Sequence, residues 1–380
     1  MVGVLHITSW YPNALVPHEA PFIERHVRAL DTHTINTVWQ IDVRQADRWG
    51  WLGKGPQADR TLLLRTPLKR WLILEWMATF LVLWAWVTRD RKLPVDVINF
   101  HIAYPNCTRI RLLRWIMRKP LVITEHYSAY RIGFNSKAKG VDRIRRIFHA
   151  GVPVIVVSRA LQGDIERFAG PPLPTMHVVD NAVSQAVFHP DPSASPEPGR
   201  FFTLAIWRFP KRPDLLLDTL AQLRAEGYDA RLRIAGVGPG SPAMIERIAS
   251  LGLGPHVELL GQLDEHAVAD EMRRAHALVH ASDYETYSAV CAEALCCGTP
   301  VIASRVGGIP EFVTDHLGVL VPENSVEAWV RCWKEAWRPL LAMDRNHLAS
   351  TMEQRAGSTT VGARYHRVLK TVMDEHRSSH

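Results

Sequence analysis

The sequence predicts an α/β protein built from two doubly wound domains. Short apolar runs alternate with helix-like segments through both halves of the chain, which is the pattern of parallel sheets covered by helices. A chain of 380 residues is expected to form two domains. The proline- and serine-rich segment 189–199 is the predicted linker between them.

Composition and charge narrow the class of protein. With 47% hydrophobic and 22% charged residues, the chain is globular rather than disordered. Its formal net charge of +7 favours anionic partners, which include nucleic acid, a membrane surface and phosphorylated substrates. The 5 cysteines form no Cys-x2-Cys pair, so we expect reduced thiols and no zinc site. A strand-like run follows Met1 directly, and we expect no signal peptide.

The first half opens with a predicted strand at 4–8, a loop to about residue 20 and a helix at 22–30. Ligands of α/β sheets bind beyond the carboxyl ends of the strands. The loop residues His18 and Glu19 are therefore candidate ligand contacts, the alternative being a solvated loop. Further strands are predicted at 61–64, 95–100, 121–124 and 153–158, with helices at 71–88, 106–118 and 160–168.

The most hydrophobic stretch is the predicted helix at 71–88. It contains one charge, Glu75, and four tryptophans, Trp71, Trp76, Trp84 and Trp86, with basic residues on both sides. A membrane-spanning helix needs about 20 residues, and strand-like segments flank this one, so a true span is disfavoured. Two interpretations remain open: a helix that lies on a lipid surface and a helix packed in the core.

Two basic runs follow in the same half. They either form solvated faces or attract an anionic lipid or a pyrophosphate-linked ligand, an effect worth about 1 kcal/mol per residue at a membrane surface. The runs consist of Arg109, Arg111, Arg114, Arg118 and Lys119, and of Arg131, Lys137, Lys139, Arg143, Arg145 and Arg146.

The second half repeats the α/β alternation. Strands are predicted at 201–206, 231–235, 257–260, 278–281 and 300–303, with helices between them. A final helix is predicted at 359–376, with Ser358 before it as a cap. The predicted organisation is therefore a domain at 1–188, a linker at 189–199, a domain at 200–350 and a terminal segment at 351–380.

The most informative stretch lies at 282–313. Glu285 precedes a predicted helix at 288–297, and Glu293 lies inside that helix; an apolar strand and a Gly307-Gly308 turn follow. A helix N-terminus is a natural seat for phosphate, and ionised carboxylates accept hydrogen bonds from sugar hydroxyls. The combination predicts a nucleotide-sugar site, the alternative being two solvated surface glutamates.

This stretch resembles the donor-site signature of retaining glycosyltransferases of family 4, also called glycosyl transferases group 1. The resemblance rests on Glu285, on Glu293-Ala294, on the run CGTPVIAS from Cys297 and on the run GGIPE from Gly307. The family has the GT-B fold, in which two Rossmann-like domains face a cleft. Its C-terminal helix crosses back to the first domain, which is the expected course of the segment 351–380.

The resemblance implies which residues hold the donor diphosphate. Lys211 and Arg208 match the family's cation pair, and Arg212 is an alternative to Arg208. The helix N-terminus at Tyr287 and Ser288 would complete the phosphate site, although Ser288 stands where most members have glycine.

The remaining site residues are implied in the same way. Glu285 would contact the donor sugar, and Glu293 would bind the ribose hydroxyls. Gly238 belongs to a glycine turn, GVGPG, that resembles the family's donor-site turn. His126, just after the strand at 121–124, would lie beside the transferred sugar on the acceptor side. Catalysis is thereby assigned to Glu285, His126, Lys211 and Arg208.

The resemblance further implies a retaining transfer from a UDP- or GDP-sugar to a saccharide hydroxyl, with no other cofactor and no metal. The sequence contains no Asp-x-Asp triplet. The segment SWYP at 9–12 is similar to the opening of polysaccharide-assembly members of the family. The expected acceptor is a saccharide of bacterial exopolysaccharide or lipopolysaccharide assembly. One form of this acceptor is a saccharide linked to polyprenyl pyrophosphate. The expected location is cytoplasmic and peripheral on the anionic inner face of the cytoplasmic membrane.

Two other functions stay open at this point. One is a GT-B enzyme that hydrolyses or epimerises a nucleotide sugar instead of transferring it. The other is a basic nucleic-acid-binding protein, which would explain the net charge but not Glu285 and Glu293. The sequence has no visible recognition helix or aromatic platform, so we expect no nucleic-acid partner.

Overall fold

The computed structural model describes residues 1–13, 19–53, 58–69, 71–134, 140–238 and 240–378. The chain divides into two compact units. The first contains Met1–Ala182 together with the segment from Ser358 onward, and the second contains Val183–Gly357. Each unit is a parallel α/β domain, so the predicted class of two doubly wound domains is confirmed.

The first unit is organised around a sheet in the order β3-β4-β2-β1-β5-β6-β7-β8. Every neighbouring pair is parallel except β3 with β4. The strands are β1 (Val2–Thr8), β2 (Thr34–Gln45), β3 (Gly50–Gly53), β4 (Arg60–Thr66), β5 (Val97–His101), β6 (Leu121–Glu125), β7 (Val154–Val156) and β8 (Met176–Val178). The helices between them are α1 (Pro21–Ala29), α2 (Trp71–Val87), α3 (Ile110–Met117), α4 (Ala129–Ile132), α5 (Val141–Phe148) and α6 (Arg159–Ala169).

The second unit contains an all-parallel sheet in the order β11-β10-β9-β12-β13-β14. Its strands are β9 (Arg200–Ile206), β10 (Arg231–Val237), β11 (Val257–Gly261), β12 (Ala277–His280), β13 (Val301–Ser304) and β14 (Gly318–Val321). Its helices are α7 (Pro213–Ala225), α8 (Pro242–Ser250), α9 (Glu265–Arg274), α10 (Ala289–Cys296), α11 (Val326–Leu341) and α12 (Arg345–Ala356). The central strands β12 and β13 are buried along their whole length, as expected for a sheet covered on both faces.

The boundaries between the units differ from those expected from the sequence. The chain divides after Ala182 rather than after residue 188, because Val183 donates its backbone N–H to Ala356 (2.8 Å) within the second unit. The predicted linker 189–199 is tied to the same unit, since Arg273 donates to the carbonyl of His189 (2.8 Å). The expected boundary at residue 350 falls inside α12, and the second unit ends at Gly357.

The hydrophobic helix α2 presents two different faces. Leu74, Ala78 and Val82 are buried, whereas Trp76, Phe80 and other large apolar side chains on the opposite face are exposed. Its one charge, Glu75, points inward and is only 1% exposed. The Glu75 carboxylate accepts two hydrogen bonds from the Arg143 guanidinium, at 2.9 and 3.1 Å. None of the helices in the described parts of the chain combines the length and apolarity that a membrane crossing requires.

The last helix, α13 (Ser358–Ser378), packs in the first unit. The Tyr365 side chain is fully buried, and its hydroxyl hydrogen-bonds the side chains of Asn99 and Thr124. Gly362 lies against α1 so closely that a Cβ atom there would overlap the carbonyl oxygen of Ala29. Close contact between two helix backbones thus requires glycine at this position.

We predict opposite stability effects for two helical Gly→Ala substitutions. Gly362→Ala should destabilise the protein by about 1–3 kcal/mol, because the new methyl group overpacks the contact with Ala29. Gly163→Ala in α6 is the matched control, since the nearest atoms that its Cβ would meet beyond the backbone of its own helix belong to the far end of the Arg167 side chain. The control should be neutral or stabilising by about 0.5–1 kcal/mol. Thermal and urea unfolding of both variants measures this, and equal effects would contradict the packing argument.

Candidate active site

The candidate donor-site residues of the second unit follow the carboxyl ends of three neighbouring strands. Arg208 and Lys211 follow β9, Gly238 follows β10, and Glu285 follows β12. These strands are adjacent in the order β10-β9-β12, so their loops meet at one edge of the sheet. Lys211 also forms an isolated antiparallel bridge with Ser282, which joins the loops after β9 and β12.

The Glu285 carboxylate is buried and forms hydrogen bonds with two side chains. Its Oε1 atom accepts from His280 Nε2 at 2.6 Å and from the Lys211 ammonium. Burial alone would raise the pKa of Glu285, but the Lys211 charge and the two hydrogen bonds outweigh it and lower the pKa to about 2. Glu285 is therefore an ionised acceptor at neutral pH, the state that binds hydroxyl groups.

The glycine turn of the motif fixes the backbone of Glu285. Gly308 donates its N–H to the Glu285 carbonyl at 3.1 Å. Gly307 has a positive φ of 53°, and a Cβ atom at this position would overlap the same carbonyl oxygen. Only glycine fits at position 307, and this requirement explains the first glycine of the Gly307-Gly308 pair.

His280 was not among the residues predicted from the sequence. It ends β12 and is 2% exposed. Burial, and then the nearby Lys211 charge, lower the pKa of His280, so the imidazole is neutral and its Nε2–H donates to Glu285. The sequence signal that could have found it is a polar residue ending an apolar strand directly before the Glu285 loop.

The two arginines proposed for the diphosphate differ in their surroundings. Arg212 donates to Asp214 (2.7 Å) and lies 3.3 Å from Asp283, so its charge is already balanced. Arg208 is exposed, and among the described residues none forms an ion pair with it. This difference supports Arg208 over Arg212, and the assignment to diphosphate stays a prediction.

The N-terminus of α10 has an unusual backbone. Ser288 precedes the helix in the left-handed region, with φ 75°, and its hydroxyl contacts Cys291 Sγ at 3.2 Å rather than capping the helix. Tyr287 is 1% exposed and packs against Phe312. Glu293 lies inside α10 and is also buried. Ser288 and Tyr287 thus directly precede α10, whereas Tyr287 and Glu293 are buried side chains. Their contact with a donor stays a prediction.

In the first unit, His126 directly follows β6 and is 6% exposed. The neighbouring carboxylate of Glu125, which was not predicted, accepts the backbone N–H groups of His126 and Tyr127, each at 2.9 Å. The same carboxylate accepts from the Tyr130 hydroxyl at 2.7 Å. Glu125 thus fixes the loop that carries His126.

His126 belongs to a buried group of histidines. Its ring lies 5.1 Å from that of His26 and 6.0 Å from that of His101, between ring centroids. His101 in turn hydrogen-bonds His6 at 3.0 Å. Burial lowers the pKa of all four imidazoles, to about 4 for His6 and for His26. The group is therefore neutral at pH 7.

Some of the residues predicted to contact a ligand lie outside the described residues, and another already forms an ion pair. His18, Lys137 and Lys139 fall outside the described residues. Glu19 forms an ion pair with Arg44 at 2.7 Å, so it is not a free loop charge. Within the described ranges, no group of three or more His, Cys, Asp or Glu residues is placed to hold a metal ion. Metal independence remains a prediction.

Sequence comparison finds a match to a known family within the second unit. Residues 189–337 match the family model for glycosyl transferases group 1. The matched region contains the 282–313 motif, so the resemblance inferred from that motif is confirmed.

Curated relatives match over part of their length. The chain is 34% identical over 143 residues to the phosphatidylinositol N-acetylglucosaminyltransferase gpi3 subunit of Schizosaccharomyces pombe, which covers 37% of this chain and 31% of that protein. It is 33% identical over 147 residues to a GDP-mannose-dependent alpha-(1-6)-phosphatidylinositol dimannoside mannosyltransferase of Mycobacterium tuberculosis, covering 38% and 36%. Each match thus spans only about a third of the relative.

Solved structures resemble almost the whole chain. Sucrose-phosphate synthase from Thermosynechococcus elongatus superposes with a TM-score of 0.75 at 16% identity, covering 98% of this chain and 100% of that one. Anabaena Alr3699/HepE in complex with UDP and glucose superposes with a TM-score of 0.73 at 17% identity. The match covers 97% of this chain and 100% of that one. These likenesses show a shared fold, that of GT-B glycosyltransferases.

We predict that the buried histidines make stability depend on pH. Unfolded histidine has a pKa of 6.5, whereas His26 in the fold has about 4, so the unfolded chain takes up more protons as pH falls between these values. The uptake lowers the free energy of unfolding at pH 5 by on the order of 2 kcal/mol for each such histidine. His26→Gln keeps a donor for the Asp180 carbonyl, which His26 Nε2 contacts at 2.9 Å, and removes the titration. Its melting temperature should fall less than that of the wild type from pH 7 to pH 5; parallel curves would contradict the prediction.

Proposed function

We propose that the protein is a retaining glycosyltransferase that moves a sugar from a nucleotide-diphospho-sugar to a hydroxyl of a saccharide acceptor. The observation that carries the proposal is the ionised, buried Glu285, held by Lys211 at the carboxyl ends of β9 and β12. A fixed carboxylate beside a cation matches a ligand that presents hydroxyl groups next to phosphates. The group 1 family match over the same unit supports this chemistry.

Each donor-site residue has a task in this proposal. Lys211 and Arg208 balance the charge on the diphosphate, together with the N-terminus of α10 at Ser288. Glu285 accepts hydrogen bonds from hydroxyls of the transferred sugar, and Glu293 from the ribose. Tyr287 and Gly238 line the donor, and His126 is the proposed acceptor-side residue of the first unit.

In the proposed reaction, the acceptor hydroxyl attacks the anomeric carbon of the donor sugar from the same face as the departing diphosphate. The bond between the anomeric carbon and the diphosphate oxygen breaks, and the acceptor oxygen forms the new bond. The leaving phosphate takes the proton of the acceptor hydroxyl, so no enzymatic nucleophile is needed. The negative charge that develops on the diphosphate is stabilised by Lys211 and Arg208, which act without a metal or another cofactor.

The donor is a UDP- or GDP-sugar. One structural neighbour was solved with UDP and glucose, and one curated relative is GDP-mannose-dependent. Another neighbour, with a TM-score of 0.70 at 16% identity, is a lipopolysaccharide outer core galactosyltransferase. An acceptor saccharide of exopolysaccharide or lipopolysaccharide assembly, carried on a polyprenyl pyrophosphate, agrees with the basic and tryptophan-rich first unit.

We predict that Glu285→Gln abolishes glycosyl transfer, because the uncharged amide is a weaker acceptor and leaves Lys211 without its partner. The measurement is nucleotide release from UDP-, GDP- and ADP-sugars with and without a lipid-linked acceptor. Glu327→Gln, an exposed glutamate in the first turn of α11, is the control and should remain active.

The same panel separates the alternatives. Release that needs the acceptor supports transfer, whereas acceptor-independent release supports a nucleotide-sugar hydrolase. No binding of any nucleotide sugar would refute the enzyme assignment, and a fully active Glu285→Gln variant would refute the site.

We propose further that the first unit docks peripherally on the anionic inner face of the bacterial cytoplasmic membrane. The exposed face of α2 carries Trp76, Phe80 and Trp84, which are 50%, 65% and 42% exposed. Arginines flank these rings, with Arg109 4.6 Å from the Trp76 centroid and Arg60 5.2 Å from that of Trp84. Apolar aromatic rings rimmed by cations suit an interface of lipid tails and anionic headgroups.

A basic groove next to α2 extends this surface. It has a volume of about 360 Å³ and is lined by Arg109, Arg111, Arg143 and Arg146. A second copy of the chain would bring like charges together here, whereas lipid phosphates would neutralise them. This charge pattern favours the membrane surface over a homodimer.

We predict that the protein sediments with anionic lipid vesicles at low salt and is released at high salt, since the attraction is partly electrostatic. The double variant Trp76→Ser with Phe80→Ser should bind more weakly. Ile245→Ser, which removes an exposed apolar side chain from the second unit, is the control and should bind like the wild type. Wild-type protein that stays in the supernatant at every ionic strength would refute membrane docking and leave the transferase proposal intact.

A further inference from the structure

The two oxygens of the Glu285 carboxylate have unequal surroundings. His280 Nε2 and the Lys211 ammonium both contact Oε1. Among the described residues, none donates a hydrogen bond to Oε2. Oε2 is therefore the oxygen that remains for a hydroxyl of a ligand.

The two donors on Oε1 differ in how firmly they are held. Lys211 lies on the loop after β9, and its side chain is 20% exposed. An ammonium on a flexible stem can turn from a carboxylate to a phosphate, because it is a point charge with three donors. His280 ends a buried strand, and its side chain is 2% exposed. The imidazole has no comparable freedom to leave Glu285.

The tasks assigned to Lys211 therefore compete. In the proposed function it balances the diphosphate, whereas in this structure it contacts Glu285. When the diphosphate draws the ammonium away, the Glu285 side chain keeps one fixed donor, the Nε2–H of His280. A neutral imidazole supplies this hydrogen bond without adding a charge to the donor site.

We propose that His280 is a positioning residue, which orients the Glu285 carboxylate toward the donor sugar once Lys211 has engaged the diphosphate. This inference rests on the proposed function, in which Glu285 contacts that sugar. It assigns to His280 an effect on turnover rather than on nucleotide affinity, because the His280 imidazole hydrogen-bonds the carboxylate that binds the sugar in the proposed function.

The test compares two substitutions with different donors. His280→Leu removes the hydrogen bond and should lower kcat about ten- to hundredfold, the effect of losing one hydrogen bond to a charged group. The Kd of the nucleoside diphosphate should be unchanged. His280→Gln places an amide Nε2–H at similar reach and should restore most of kcat. His276→Gln, which removes another buried imidazole of the same unit, is the control and should keep the wild-type kcat.

Histidine NMR provides a readout that does not depend on turnover. In ¹⁵N-histidine-labelled protein, His280 should be neutral with the proton on Nε2, and Glu285→Gln should shift its signals. A folded His280→Leu variant with wild-type kcat, or a proton on Nδ1, would overturn the inference. A wild-type protein that turns over no nucleotide sugar would instead refute the proposed function, while the NMR signals would still decide whether His280 holds Glu285.

Discussion

The second unit depends on a contact that leaves no room for a side chain. The carbonyl of Glu285 lies where a Cβ atom of residue 307 would be, and it accepts a hydrogen bond from Gly308. The loop after β12 and the turn after β13 are thereby joined backbone to backbone. Because the backbone of Glu285 is fixed, its carboxylate can meet His280 and Lys211 from two other parts of the sheet edge. A single close approach thus fixes the geometry on which the proposed chemistry rests.

The sequence predicted the parts of this arrangement that follow from local pattern. Glu285, the helix at α10 and the Gly307-Gly308 turn occur in one stretch, with spacing that indicates their order along the chain. His280 could not be predicted in the same way, because its contact with Glu285 depends on how the loop folds back over the strand end. Similarly, the sequence left Arg208 and Arg212 as alternatives, and only side-chain geometry showed Arg212 paired with Asp214.

The first unit shows another limit of sequence patterns. β2 was not predicted although it is 12 residues long, because polar residues such as Asn36, Gln40 and Asp42 interrupt its apolar run. In α2 the charged Glu75 is buried against Arg143, whereas Trp76 and Trp84 are exposed. A hydropathy profile detects that such a helix is apolar but not which side is covered, since that depends on the ion pair beneath it.

The course of the chain through the two units has a consequence for how the protein is built. The second unit begins at Val183 and ends at Gly357, and these two residues pair as neighbours in a parallel bridge. Its ends therefore meet, and the unit is an insertion between β8 and α13 of the first unit. An insertion with adjacent ends imposes little entropic cost of loop closure on its host. The first unit can therefore keep its own sheet and its terminal helix whatever sequence occupies the insertion.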